Sequence, residues 1–129
     1  MAYTQLNFIN LAKGSCLAIC YSKWLYPNAN DVDHMINVCK GVQKGFITSD
    51  GFVKDPAGYL NLIDEKHRKF NITKVDGAPS DKEYPTLYRY KDYEHFVLSA
   101  KDVTYDPYGE SICVKFGKPV SYRKIDIIG

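Results

Sequence analysis

With 129 residues, 45% of them hydrophobic, the chain has the size of one domain and enough apolar mass for a core that needs no metal or disulfide staple. Its 17 basic and 15 acidic residues leave a formal charge of +2, too small and too scattered to be an electrostatic footprint for DNA or RNA. No run approaches the roughly 18 consecutive apolar residues of a membrane span. The opening Met1-Ala2-Tyr3-Thr4-Gln5-Leu6 also lacks the charged start and apolar middle of an export signal, which predicts a soluble, cytoplasmic protein with reduced cysteines and no membrane partner.

The first predicted element is a helix over Gly14 to Tyr26, where Cys16, Leu17, Ile19, Cys20, Trp24 and Leu25 recur at helical spacing with few breakers. Ser15 is placed to cap it, Cys16 falls in its first turn, and Pro27-Asn28-Ala29-Asn30 ends it. A second helix starts at Asn30 or Asp31, with Val32, Met35, Ile36 and Cys39 as its apolar stripe and Gly41 as its stop. Gly45 to Val53 reads as two short apolar stretches around a Ser49-Asp50-Gly51 turn, and a third helix runs from near Pro56 to His67. The period then becomes alternating. Strands are predicted over Phe70 to Val75, Tyr84 to Tyr90, Tyr93 to Ala100, Val103 to Tyr105, Ser111 to Phe116 and Ser121 to Ile128, with Asp76 to Lys82 as a polar loop. Helices first and strands afterwards predict an α+β fold in one domain, 1–129, with N-terminal helices packed on a C-terminal antiparallel sheet.

Four cysteines are present, and only Cys16 is placed where a helix N-terminus, with roughly half a positive charge, can favour its thiolate. Cys20 lies a turn deeper and reads as core; Cys39 and Cys113, flanked by apolar residues, read as small buried hydrophobes. Cys16 and Cys20 with His34 or Cys39 would offer metal ligands, but no CxxC or HxxxH spacing accompanies them, so no metal site is predicted. Strand alternation puts Tyr93, His95, Val97 and Ser99 on one face. If Lys101-Asp102 turns the hairpin, Asp106 returns opposite position 95 or 97, on the face of His95, and can hold one ring nitrogen while the other faces Cys16. Asp102 is explained by the turn itself, and His34 and His67, in polar helical contexts, are expected to be solvated. Eleven tyrosines, crowded over Tyr84 to Tyr93 and Tyr105 to Tyr108, suit either strand packing or a groove that grips a chain, with Tyr88 and Tyr108 as groove candidates.

A helix-opening Cys in Lys13-Gly14-Ser15-Cys16, then Glu94-His95-Phe96-Val97-Leu98 on a strand, then Asp106-Pro107-Tyr108-Gly109, resembles the papain-like peptidase domains that process double-glycine bacteriocin leaders, and their stand-alone relatives in bacterial and phage genomes. Gly45 to Val53 and Asp55-Pro56 are similar to the linker and third helix of those domains. The resemblance implies a papain-like fold with Cys16 as nucleophile, His95 as general base and Asp106 as its orienter. It also implies an oxyanion donor six residues before the Cys, where the family has Gln and this chain has Asn10; Gln5 lies eleven residues away. Ser15 and Leu17 replace the acid and glycine that flank the family's Cys. The expectation is a cysteine peptidase or amidase acting on a peptide or protein substrate without a cofactor. The alternatives are a catalytically weak or inactive binding or inhibitor protein on the same fold, of phage or mobile-element origin, and a peptidoglycan-bond hydrolase.

Overall fold

A computed structural model describes residues 4–129, with helices in the N-terminal half and a five-stranded antiparallel sheet in the C-terminal half. The helices are α1 (Thr4–Gly14), α2 (Cys16–Leu25), α3 (Asp31–Gln43) and α4 (Pro56–Ile63). The strands β1 (Phe70–Asp76), β2 (Tyr84–Tyr90), β3 (Tyr93–Ser99), β4 (Val103–Tyr105) and β5 (Lys118–Ile127) lie in the order β1-β5-β2-β3-β4, and a short α5 (Ile112–Phe116) precedes β5. Among the described residues no helix is long and apolar enough to cross a membrane.

Five sequence expectations are corrected. A helix, α1, precedes the predicted first one, and the chain leaves helical geometry only at Ser15, whose hydroxyl donates back to the Ala12 carbonyl (3.2 Å) and does not cap α2. Gly41 does not stop α3: an added Cβ there would lie 2.5 Å from the Ile47 side chain and 2.8 Å from the Tyr59 ring, so the glycine is a packing site inside the helix. The buried face of α3 is accordingly His34, Val38 and Gly41, while Val32 and Ile36 of the expected stripe are exposed. The third helix ends at Ile63 because the Asp64 carboxylate accepts from the Arg68 backbone N–H (2.9 Å) and guanidinium (2.7 Å) and folds the chain into a turn. Finally, Ser111 to Phe116 is no strand. The Ser111 hydroxyl accepts from the Val114 N–H, Gly117 closes the turn against the Arg89 carbonyl, and the place beside β2 belongs to β5.

α2 is the central helix of the packing. It lies on β2 and β3, while α3 and α4 cover its other sides and α4 reaches β1. Ala18 and Tyr21 of α2 join Val38, Ile47, Tyr59, Leu60, Phe70 and Ile125 in one core. Two polar ties fix the helix in place: the Trp24 indole donates to the Glu83 carbonyl (2.9 Å) at the entry to β2, and the Tyr59 hydroxyl donates to the Ala18 carbonyl (3.3 Å).

The start of α2 rests on a backbone-to-backbone contact. A Cβ on Gly14 would sit 1.8 Å from the Asp50 carbonyl oxygen, and one on Gly51, whose φ is +95°, would sit 2.5 Å from the Gly14 carbonyl carbon. The α1–α2 junction and the 48–52 turn therefore touch without side chains between them. Gly14→Ala is expected to cost about 2–4 kcal/mol in chemical denaturation, because two backbones must part. Gly77→Ala, with positive φ but open space around it, is expected to cost only about 1 kcal/mol.

Candidate active site

Cys16 is the first residue of α2, where the N–H groups of the opening turn have no partner within the helix and the macrodipole is positive. His95 comes from the middle of β3, on which α2 packs, so helix and sheet bring the two side chains to one cavity of about 330 Å³. Its walls also include Ala12 and Lys13 from the end of α1, Ile19 from the next turn of α2, and Pro107 and Tyr108. Among the four cysteines, Cys16 alone lines it; Cys20 and Cys113 are buried, and all four are free thiols.

Asp106 follows β4 directly. The pairing Leu98↔Tyr105 carries the next residue onto the face of His95, as the hairpin argument predicts, although a register shift between Leu98 and Ser99 intervenes. Its Oδ1 meets His95 Nε2 at 2.6 Å and also accepts from the Tyr108 N–H at 2.9 Å. With Nε2 committed to the carboxylate, Nδ1 is the ring nitrogen left for the thiol.

The electrostatics of the three groups interlock. Burial pushes the Cys16 thiol up, but the His95 side chain, the N–H groups of Phe96 and Leu17 and the charge on His95 outweigh it and hold the thiol below its ordinary value. Burial pulls His95 down, and the hydrogen bonds and charges of Cys16 and Asp106 leave it above the usual histidine value. Burial raises Asp106, while His95, the Ser111 hydroxyl and the Tyr108 N–H bring it below the usual carboxylate value. All three directions favour a thiolate and an imidazolium beside a carboxylate. The arrangement supplies a nucleophile, a proton carrier and a group that fixes the carrier's orientation.

The other expected residues fall as follows. Tyr108 stands at the rim, 79% exposed and edge-on to the His95 ring at 6.4 Å between centroids. Tyr88 lies directly opposite His95 in the β2–β3 register and so on the same sheet face, half-buried, but not in the cavity wall. Asn10 is exposed on α1, one turn before the wall residue Lys13 and on the same helix face; Gln5 is exposed farther up that helix. Sequence reasoning missed Lys13, Ile19 and Ser111. Lys13 was visible three residues before the Cys, but only the folded chain shows that it lines the same cavity.

His34 is not solvated, contrary to expectation. It is 1% exposed, with Nδ1 at 2.7 Å from the Ser22 hydroxyl. Ser22 Oγ also accepts from the Asn37 amide (2.9 Å). Burial and the nearby Lys23 charge pull the His34 pKa down, which favours the neutral ring. Ser22 itself is fully buried, which makes this Ser–His pair a brace between α2 and α3. No protein-family model, curated protein or solved structure matches the chain.

Alkylation reads the site directly, since only the thiolate reacts. Iodoacetamide at pH 6.5 is expected to modify Cys16 well ahead of Cys20, Cys39 and Cys113. In His95→Ala the two imidazole contributions vanish and burial is less opposed, so the pH at which Cys16 reacts should move upward. Mass-spectrometric labelling across pH 5–10 measures both; equal labelling of the four thiols would contradict the ion pair.

Proposed function

We propose that the protein is a cysteine peptidase or amidase on a papain-like fold, with Cys16 as nucleophile, His95 as general acid and base, and Asp106 as orienter. The observation that supports this best is that Cys16 and His95, distant in sequence, line one cavity, with Asp106 on the His95 ring at 2.6 Å and pKa shifts that support one another. The Cys16 thiolate attacks the carbonyl carbon of a peptide or isopeptide bond. The oxyanion that forms is stabilised by N–H groups at the start of α2, with the Asn10 amide as the second donor that the resemblance implies. The imidazolium of His95 protonates the leaving amine as the C–N bond breaks. The acyl-enzyme is then hydrolysed by water that gives its proton to the neutral imidazole, which restores the starting pair.

Asp106 acts through His95. Its hydrogen bond to Nε2 keeps Nδ1 toward the sulfur and stabilises the ring's positive charge in both proton transfers. No cofactor enters this chemistry. The same carboxylate is backed by the Tyr108 N–H and the Ser111 hydroxyl, which keep it ionised when a substrate covers the site.

A binding protein with a weak or idle triad is the second reading, and the exposure of Asn10 favours it, because an amide in water is a poorer oxyanion donor than one held in a dry site. The two readings separate kinetically. In a working peptidase Cys16→Ala abolishes turnover of a cleavable peptide with little loss of stability, and Asn10→Ala lowers kcat about tenfold, less than a fully enclosed donor would, with KM nearly unchanged. In a binder Cys16→Ala leaves partner affinity intact, whereas Tyr108→Ala weakens it by about 1 kcal/mol or more. A Cys16→Ala protein with full biological activity would overturn the peptidase reading.

A further inference from the structure

A second cavity, of about 420 Å³, opens beside the one that holds Cys16, and the two share Ile19, Pro107 and Tyr108 as a common wall. Together they form a groove that leaves the nucleophile, crosses the Tyr108 rim and ends at the start of α3. The second cavity has apolar sides, from Ile19, Met35, Pro107 and the Tyr105 ring, and a carboxylate, Asp31, at its far end. Apolar sides with one anion at the end match a side chain made of a hydrocarbon stem and a cationic tip.

The charges around this cavity single out Asp31. Asp106 also touches it, but that carboxylate already holds His95, the Tyr108 N–H and Ser111. Asp31 has no ion-pair partner among the described residues, and it stands close enough to Tyr105 and His34 to influence both. Lys23 lies over the Tyr105 ring (5.0 Å) and donates to the Pro27 carbonyl (2.7 Å). His34, in the wall, is held below its ordinary pKa by burial and the Lys23 charge, which disfavours a second cation there. Asp31 and Asp33 together exceed the half positive charge of the α3 N-terminus.

We infer that this second cavity is the specificity pocket of the Cys16 site, that it receives a lysine or arginine side chain of the substrate, and that Asp31 reads its charge. The inference rests on the peptidase reading, and it makes the substrate a peptide or protein with a basic residue close to the scissile bond. The groove runs past Tyr108, whose exposed ring covers the stem of the bound side chain.

Peptidyl epoxysuccinates test this without a known substrate, because the thiolate opens the epoxide, forming a C–S bond as the C–O bond breaks, and the alkoxide takes a proton from His95. Probes identical except for a lysine, norleucine or glutamate, carried on either arm of the epoxide, are compared by their rates of labelling Cys16. The lysine probe is expected to label about tenfold faster than the glutamate probe on one arm, since one charge is attracted and the other repelled. Asp31→Asn, which retains the helix start behind the Asn30 cap, should bring that ratio to within about twofold, and Asp31→Lys should invert it. Raising the salt should also shrink it. Labelling of Cys16 with no charge preference on either arm, or a preference that survives Asp31→Asn, overturns this inference alone. Failure of every probe and of iodoacetamide to single out Cys16 removes the peptidase reading, and the pocket with it.

Discussion

The contact between His95 Nε2 and Asp106 Oδ1, at 2.6 Å, is the interaction on which the rest of the site depends. Burial works against charge on Cys16, His95 and Asp106 alike, and the three offset that cost for one another. The carboxylate is the member with independent support, from the Tyr108 N–H and the Ser111 hydroxyl, and its charge stabilises the imidazolium. The imidazolium in turn stabilises the thiolate. A chain of dependence runs from a polar turn after β4, through a sheet residue, to the helix that holds the sulfur.

That chain requires α2 to start at a fixed place, and two glycines provide it. Gly14 and Gly51 let the α1–α2 junction rest on the 48–52 turn, which places Cys16 at the first helical position while α2 lies across β3. The positive end of the helix then faces the sulfur and any oxyanion formed beside it. The buried Ser22–His34–Asn37 brace anchors the next turns of α2 to α3, so the same packing that fixes the nucleophile also fixes the far end of the groove.

Much of the site was legible because its signals are local. The helical spacing that opens near Cys16, the two-residue period around His95 and the short return to Asp106 each place a side chain from a few neighbouring residues. The α+β order was legible for the same reason. What escaped depended on distant partners. Gly41 reads as a helix stop until Ile47 and Tyr59 are seen against it, and His34 looks solvated among Asp31, Asp33 and Asn37 until Ser22 is brought to its ring. Ser111 to Phe116 fits an alternating pattern as well as a helical one, and only the occupation of the β2 edge by β5 decides between them. The place of Asp31 in a cavity wall was hidden in the same way, since α3 and the segment after β4 meet only in the folded chain.

The central claim is that His95 is held as an imidazolium by a thiolate on one side and a carboxylate on the other. Nitrogen-15 NMR of the His95 ring measures it most directly, because protonated and neutral ring nitrogens differ widely in shift and the titration gives the pKa of this one residue. The expected result is a titration above the unperturbed value near 6.5, with both ring nitrogens protonated below it, and a fall of that titration in Cys16→Ala. A titration at or below the unperturbed value that Cys16→Ala leaves unmoved would contradict it.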